Sequence, residues 1–229
     1  EIFVKRYPKE LPPDANQVLR EIGYEVFDEW LDRPNIWAFW WPRFNRIVDW
    51  FIAQEKILRA TTIISTVEER GKLFLPSAIG EFELRGIADR INIMDDGSLV
   101  VIDYKTGSAP SKTDVKNGSS PQLPLEAAML ANGQFTTIPN GHVSHLAYWV
   151  LKGGVPAGEV KLMGKGDEIT DLADQAINNL QKLIDLYHLQ ATAFEAVAPE
   201  EGGPRYDPYI HLARTKEWYG IDQEVAIDD

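Results

Sequence analysis

The segment that most constrains the fold runs from Glu81 to Glu126. Its centre is Gly86-Ile87-Ala88-Asp89-Arg90 followed by Val101-Ile102-Asp103-Tyr104-Lys105, with Asp95-Asp96-Gly97 between them. An Asp-Gly step between two strand-like runs is a β-hairpin signal. Phe82 to Met94 alternates polar and apolar residues, and Leu99 to Tyr104 is rich in β-branched residues, as a buried strand is. Residues two apart on a strand share a face, so Asp103 and Lys105 point the same way. A three-residue loop, Asp95 to Gly97, sets Asp89 opposite Asp103 on that face. A two-residue turn slips the register by one and sends Asp89 to the other side. Both turns stay open at this level.

In the first geometry two carboxylates and an ammonium converge where the apolar face of Ile87, Leu99 and Val101 gives out. Close carboxylates repel unless a cation or a proton joins them. Oxygen donors with open positions suit Mg²⁺, which keeps waters and takes phosphate oxygens as its remaining ligands. A lysine beside such a site can orient or deprotonate a water and offset charge developing on the phosphate. The chemistry implied is metal-assisted hydrolysis of a phosphodiester. Asp-x-Lys alone is common at solvated strand ends; it gains weight from Gly86-x-x-Asp89 before it and a Gln-led helix after it.

In that order, Gly86-Ile87-Ala88-Asp89-Arg90-Ile91-Asn92, Ile102-Asp103-Tyr104-Lys105-Thr106-Gly107 and Pro121-Gln122-Leu123-Pro124-Leu125-Glu126-Ala127 resemble the nuclease core of the PD-(D/E)XK superfamily, in its RecB-like branch. The last of these stretches, the Trp-rich Ala38 to Phe44 and the ending His211-Leu212-Ala213-Arg214 are similar to the C-terminal nuclease domain of AddB-type double-strand break repair proteins of the alphaproteobacterial kind. The resemblance implies a restriction-endonuclease-like α/β fold, a central mixed β-sheet flanked by helices. It implies Asp89 and Asp103 as metal ligands, with the backbone carbonyl of Tyr104 as a third, Lys105 as the catalytic lysine and Gln122 near the scissile phosphate. The cofactor it implies is Mg²⁺, with Mn²⁺ as a substitute. Its substrate is DNA, cut by a deoxyribonuclease acting as an exonuclease to leave a 5′-phosphate and a 3′-hydroxyl, and its partner is a helicase–nuclease subunit of the AddA type.

Three positions depart from the pattern. Glu126 stands where many relatives have Tyr, so a Tyr contact to DNA does not carry over. Asn92 replaces a second acid and by parity points away from the site. The upstream His or Glu ligand has no match, since the first sixty residues hold no His and no Glu there aligns. The chain starts without Met in mid-pattern and is expected to be a fragment of a larger helicase–nuclease subunit.

Its 229 residues suffice for one well-cored domain. The expected division is a helical lead-in over 1–60, a nuclease core over 61–190 and a tail over 191–229. Cysteine is absent, which excludes disulfides, thiolate zinc sites and the iron–sulfur cluster found in some relatives. No apolar run is long enough to cross a bilayer, and no membrane partner is expected; a chain without cysteine is compatible with a reducing cytoplasm, the location expected for it. The net charge of −12, from 23 basic and 35 acidic residues, argues against a free-standing nucleic-acid binder. Arg85, Arg90, Lys105, Lys112 and Lys116 gather around the motif as a local basic lining or, more plainly, a solvated face.

Along the chain, Asp14 is expected to cap a helix to about Leu31, with Val18, Ile22, Val26 or Phe27 and Trp30 on one stripe. A second helix is expected from about Pro42 to Arg59. Trp37, Trp40, Trp41 and Trp50 form either a base-stacking platform or, more simply, packing residues. Strands are expected over 61–67 and 72–75, meeting near Gly71 with Glu68 and Glu69 in the turn. Thr106 to Ser120 reads as a mobile loop. A helix from Gln122 to Ala131 stops at Asn132-Gly133. Strands over 142–151 and 159–163 follow, then a helix over 170–189 with Leu172, Ala176, Leu180, Leu183 and Leu186 or Tyr187 inward. His142 and His145 lack metal-ligand spacing. Two other function classes stay open: a degenerate nuclease fold that scaffolds or binds DNA, and an acidic interaction domain with an accidental Asp-x-Lys.

Overall fold

The structure is a computed structural model that describes residues 1–31, 33, 34, 36–193 and 212. The chain separates into two compact units, Glu1–Asp185 and Leu186–Asp229. The expected tail from residue 194 onward, with the His211-Leu212-Ala213-Arg214 ending, lies outside the described residues apart from Leu212. In the second unit the Thr192 hydroxyl donates to the Leu186 carbonyl at 2.7 Å.

The first unit is built on five strands: β1 (Thr62–Ser77), β2 (Gly80–Met94), β3 (Leu99–Lys105), β4 (Val143–Leu151) and β5 (Gly158–Lys165). They lie in the spatial order of the sequence. All neighbours are antiparallel except β3 and β4, which run parallel. A parallel pair needs a crossover, and this one carries α4 (Lys112–Lys116) and α5 (Gln122–Ala131). Along β3 successive residues serve opposite cores. Leu99 and Val101 join α5 and α6 (Asp167–Tyr187), while Val100 and Ile102 join α1 (Ile2–Arg6), α2 (Ala15–Leu31) and α3 (Trp41–Leu58). A strand covered on both faces must be apolar throughout, which accounts for the Leu-Val-Val-Ile run. The result is a mixed sheet flanked by helices.

The β2–β3 turn is the three-residue form. Met94 N–H donates to the Ser98 carbonyl at 2.9 Å and Gly97 N–H to that of Met94 at 3.0 Å. Gly97 has φ +80°, a conformation that disfavours a Cβ. The ladder then runs from Ile93 opposite Leu99 to Arg90 opposite Ile102.

The expected helical lead-in begins with α1, whose Phe3 and Val4 are buried. Three local expectations are corrected. β1 is one long strand, not two meeting near Gly71. That glycine pairs with Gly86, and a Cβ on it would lie 2.8 Å from Met129 and 3.0 Å from the Phe135 ring. It marks a close approach of helix to sheet instead of a turn. The register of β1 shifts between Thr62 and Ile64, and Glu68 is the one non-glycine among the described residues with positive φ, +55°. Thr106 to Ser120 is not structureless. Ser111 and Asp114 form a reciprocal capping box on α4, Val115 is buried, and Lys116 reaches Glu168 of α6 at 3.0 Å. On α6 the inward residues are Ile169, Leu172, Ala173, Ala176 and Ile184, so Leu183 and Leu186 of the expected stripe are about half exposed.

Two of the four tryptophans are packing residues. The Trp41 ring centroid is 4.0 Å from that of Tyr24, and Trp50 meets Trp149 edge-on at 5.7 Å. Trp37 and Trp40 remain about half exposed.

Candidate active site

β3 delivers Asp103 and Lys105 to its carboxyl end. Beyond the last ladder pair, Arg90 and Ile102, the next facing positions are Asp89 and Asp103. There the backbone bonding stops and a side chain takes over: Asp89 Oδ2 accepts the Tyr104 N–H at 2.9 Å. A backbone donor at a strand end needs some acceptor, and this one fixes the Asp89 carboxylate beside the stretch that carries Asp103.

Asp103 is buried. Its Oδ1 accepts from Lys105 Nζ at 3.0 Å. Its Oδ2 lies 2.8 Å from the same nitrogen, an ion-pair contact without hydrogen-bond geometry, and so has no hydrogen-bond donor. Burial raises the Asp103 carboxyl above the usual range, Lys105 works against the rise, and the negative charge of Asp89 adds to it. Lys105 Nζ also reaches Gln122 Oε1 at 3.5 Å and stands 5.5 Å from the centre of the Tyr148 ring. Gln122 opens α5, and its Nε2 donates to Glu126 Oε1 at 3.1 Å one turn on. The four side chains Asp103, Lys105, Gln122 and Glu126 thus form one continuous polar chain.

Glu126 is the site residue that sequence reasoning missed, treating it only as a lost Tyr. It is 4% exposed and its Oε2 has no partner. Burial, reinforced by the charges of Asp103 and Asp89, pushes its carboxyl up to about 8, against the opposing effects of Gln122 and Lys105. At neutral pH it holds a proton. The available signal was the four-residue spacing from Gln122, which stacks the two side chains on one helix face.

The opposite face of the same strands is arranged differently. Arg90 is fully buried. It donates to Asn92 Oδ1 at 2.7 Å, to Ser65 at 3.1 Å, to the Tyr104 hydroxyl at 3.0 Å and to both oxygens of Glu55. Arg90 therefore lines no DNA path, which corrects the expected basic lining; Arg85 is paired with Glu83 and Lys116 with Glu168. Asn92 faces Arg90. Glu55, an acid from an upstream helix, is buried between Arg90 and Arg59 on this face and is spent there. Glu68 is exposed and stands across β1 from Asp89, between the pairs Val67–Arg90 and Glu69–Ala88. His142 and His145 are exposed at the far end of β4.

Among the described residues no three His, Cys, Asp or Glu side chains gather at metal-ligating spacing. The donors at hand are Asp89, Asp103 and the strand backbone, all oxygen, with the buried Asp103 Oδ2 lacking a hydrogen bond. Such a set fits Mg²⁺, a hard ion commonly held by one or two carboxylates that keeps several waters.

A family profile described as the PD-(D/E)XK nuclease superfamily matches residues 1–203. The chain is 29% identical over 135 residues, 59% of its length, to an uncharacterized protein of Rickettsia bellii. It is 41% identical over 69 residues, 30% of its length, to an uncharacterized protein of Rickettsia conorii. It is 41% identical over 81 residues, 30% of its length, to one of the subunits of an ATP-dependent helicase/deoxyribonuclease of Streptococcus agalactiae. The matches take up 16%, 8% and 7% of those proteins' own lengths.

Proposed function

The chain belongs to the PD-(D/E)XK nuclease superfamily, and from that premise we propose that it is a Mg²⁺-dependent deoxyribonuclease domain, an exonuclease within a cytoplasmic helicase–nuclease that processes double-strand breaks for recombinational repair. The observation that supports this best is the meeting of Asp89, Asp103 and Lys105 at the end of β3, linked through Gln122 to α5. In this proposal Asp89, Asp103 and the Tyr104 carbonyl hold the ion, which, when bound, offsets charge on the phosphate and acidifies its own water.

The chain's own groups do the rest. Lys105, now held by Asp103, turns its ammonium to the phosphate and to the attacking water. Gln122 limits where that ammonium can go by accepting from Nζ, and Glu126 orients the Gln122 amide by accepting from its nitrogen. In this proposal most of the DNA grip falls to a partner subunit of the AddA helicase–nuclease type, a division supported by the chain's net charge of −12. A helicase association is supported by the name of the Streptococcus agalactiae relative. The expected single nuclease domain within a larger subunit of the AddB type, in the RecB-like branch, is part of the same proposal.

The test is digestion of linear DNA by the chain with Mg²⁺ or Mn²⁺. Asp103→Ala and Lys105→Ala are expected to lose cutting while circular dichroism and melting stay at the wild-type level; equal cutting by both variants would refute the proposal. A second possibility, a nuclease-fold module that binds DNA without cutting it, is favoured by the lack of a three-ligand cluster among the described residues. DNA binding by wild type with no product under Mn²⁺ would select it.

A further inference from the structure

The carboxyl ends of β3 and β4 have a second feature, on the α3 side of the sheet. A cavity of about 270 Å³ opens there between Trp40, Phe44 and Leu151, with Arg43, Lys152 and Thr106 among its polar walls. Thr106 directly follows Lys105 in the chain, so the cavity and the proposed active site share the carboxyl end of β3 from opposite faces of the sheet. Crevices outside the carboxyl ends of strands are where open α/β sheets take ligands.

The lining is unusual for a chain so acidic. The indole of Trp40 is 57% exposed, although the Trp41 beside it is buried. Arg43 stands with Cζ 5.9 Å from the centre of the Trp40 ring and has no acidic partner among the described residues. Lys152 pairs with Glu159 at 2.9 Å, but both side chains are more than two-fifths exposed. Such a pair is worth little and exchanges readily for another anion. Arg46 donates to the Gly153 carbonyl at 2.8 Å and holds the β4–β5 turn in place below. An aromatic floor with two cations at its rim complements a ligand that is flat and apolar at one end and anionic at the other.

A nucleotide has that chemistry. The volume lies below the roughly 300–1,000 Å³ of pockets for larger ligands, so it admits one ring system and excludes a duplex. A base inside a duplex has its faces stacked; only an unpaired base offers one to an indole. We propose that this cavity is a nucleotide subsite, in which an unpaired base of the strand being cut stacks on Trp40 while Arg43 and Lys152 hold its phosphate. The subsite rests on the nuclease reading above and adds to it a preference for single-stranded DNA.

The experiment is fluorescence anisotropy of a labelled oligo-dT and of a duplex of equal length, in EDTA so that nothing is cut, with the whole chain. Trp40→Ala is expected to weaken oligo-dT binding roughly 5- to 150-fold, the range for loss of one base–aromatic stack. Trp40→Phe should restore most of it, and Arg43→Ala should lower the salt slope by about one. Phe74→Ala, an exposed aromatic on β1, should change nothing. Wild-type affinity in both Trp40→Ala and Arg43→Ala, equal losses on duplex and single strand, or no binding by wild type would each overturn the subsite. The two proposals fail separately. Trp40-dependent binding by a protein that cuts nothing under Mn²⁺ sinks the nuclease and keeps the subsite. Mn²⁺-dependent cutting that is indifferent to Trp40 does the reverse.

Discussion

Glu126 makes the folded chain lose stability as pH rises, and replacing it with Gln removes that loss. Its carboxyl titrates near 4.5 when unfolded and near 8 when folded. Between those values the folded state holds a proton that the unfolded state has released. Stability therefore falls through the window, because the slope with pH follows protons bound unfolded minus protons bound folded. The contribution is fully present below about pH 4.5 and gone above about pH 8. At about 1.4 kcal/mol for each pH unit separating the two states, the whole difference is on the order of 5 kcal/mol. Gln has the same shape, is neutral at every pH, and its carbonyl oxygen can still accept from Gln122 Nε2. Burial also raises the Asp103 carboxyl; that drift is present in both proteins, and only the part coupled to the Glu126 charge enters their difference. Urea denaturation in EDTA at pH 5, 6, 7 and 8 measures it. The two proteins should be close at pH 5, with Glu126→Gln ahead by roughly 3–4 kcal/mol at pH 8. Parallel profiles, with a gap constant to about 0.5 kcal/mol, would show that Glu126 is not the buried acid described.

Two further outcomes concern the opposite face and the lead-in. Breaking a buried ion pair from one side costs about 3–5 kcal/mol, and the two sides here are unequal. Arg90→Met leaves Glu55 with Arg59 at 2.6 Å, so its cost in chemical denaturation should sit at the low end. Glu55→Leu leaves the Arg90 guanidinium among neutral acceptors and should sit at the high end; the double variant should regain much of the loss. Three equal costs would mean that this pair does not hold α3 to β2. Gly23 lies inside α2, where Ala normally gains about 0.5–1 kcal/mol. A Cβ there would run into the Phe44 ring of α3, and overpacking of that kind costs about 1–3 kcal/mol. Gly23→Ala should therefore lower the melting temperature, and a rise would refute the contact.

The hairpin was legible because turn chemistry and strand parity are local: Asp95-Asp96-Gly97 sets the loop, and the loop sets which residues face each other. Gly71 was not, because a glycine in a strand reads alike whether the chain turns or a helix comes close, and only Met129 and Phe135, far along the chain, tell the two apart. Arg90 failed for a different reason. Parity sends Asn92 away from the site, and Arg90, two residues before it, shares its face; the argument that removed one removes the other. What no local rule supplies is how each buried acid is compensated. Glu55 meets two guanidiniums, from Arg59 and Arg90. Glu126 has only Gln122 as a direct partner, because the one ammonium nearby is already held by Asp103, and so it takes a proton instead. One face of the sheet closes its charge account with arginines and has no need of a ligand. With Glu126 protonated, the other sets two carboxylates, Asp89 and Asp103, against a single lysine, and that shortfall of positive charge supports the divalent cation proposed on their side of the sheet and not beside Glu55.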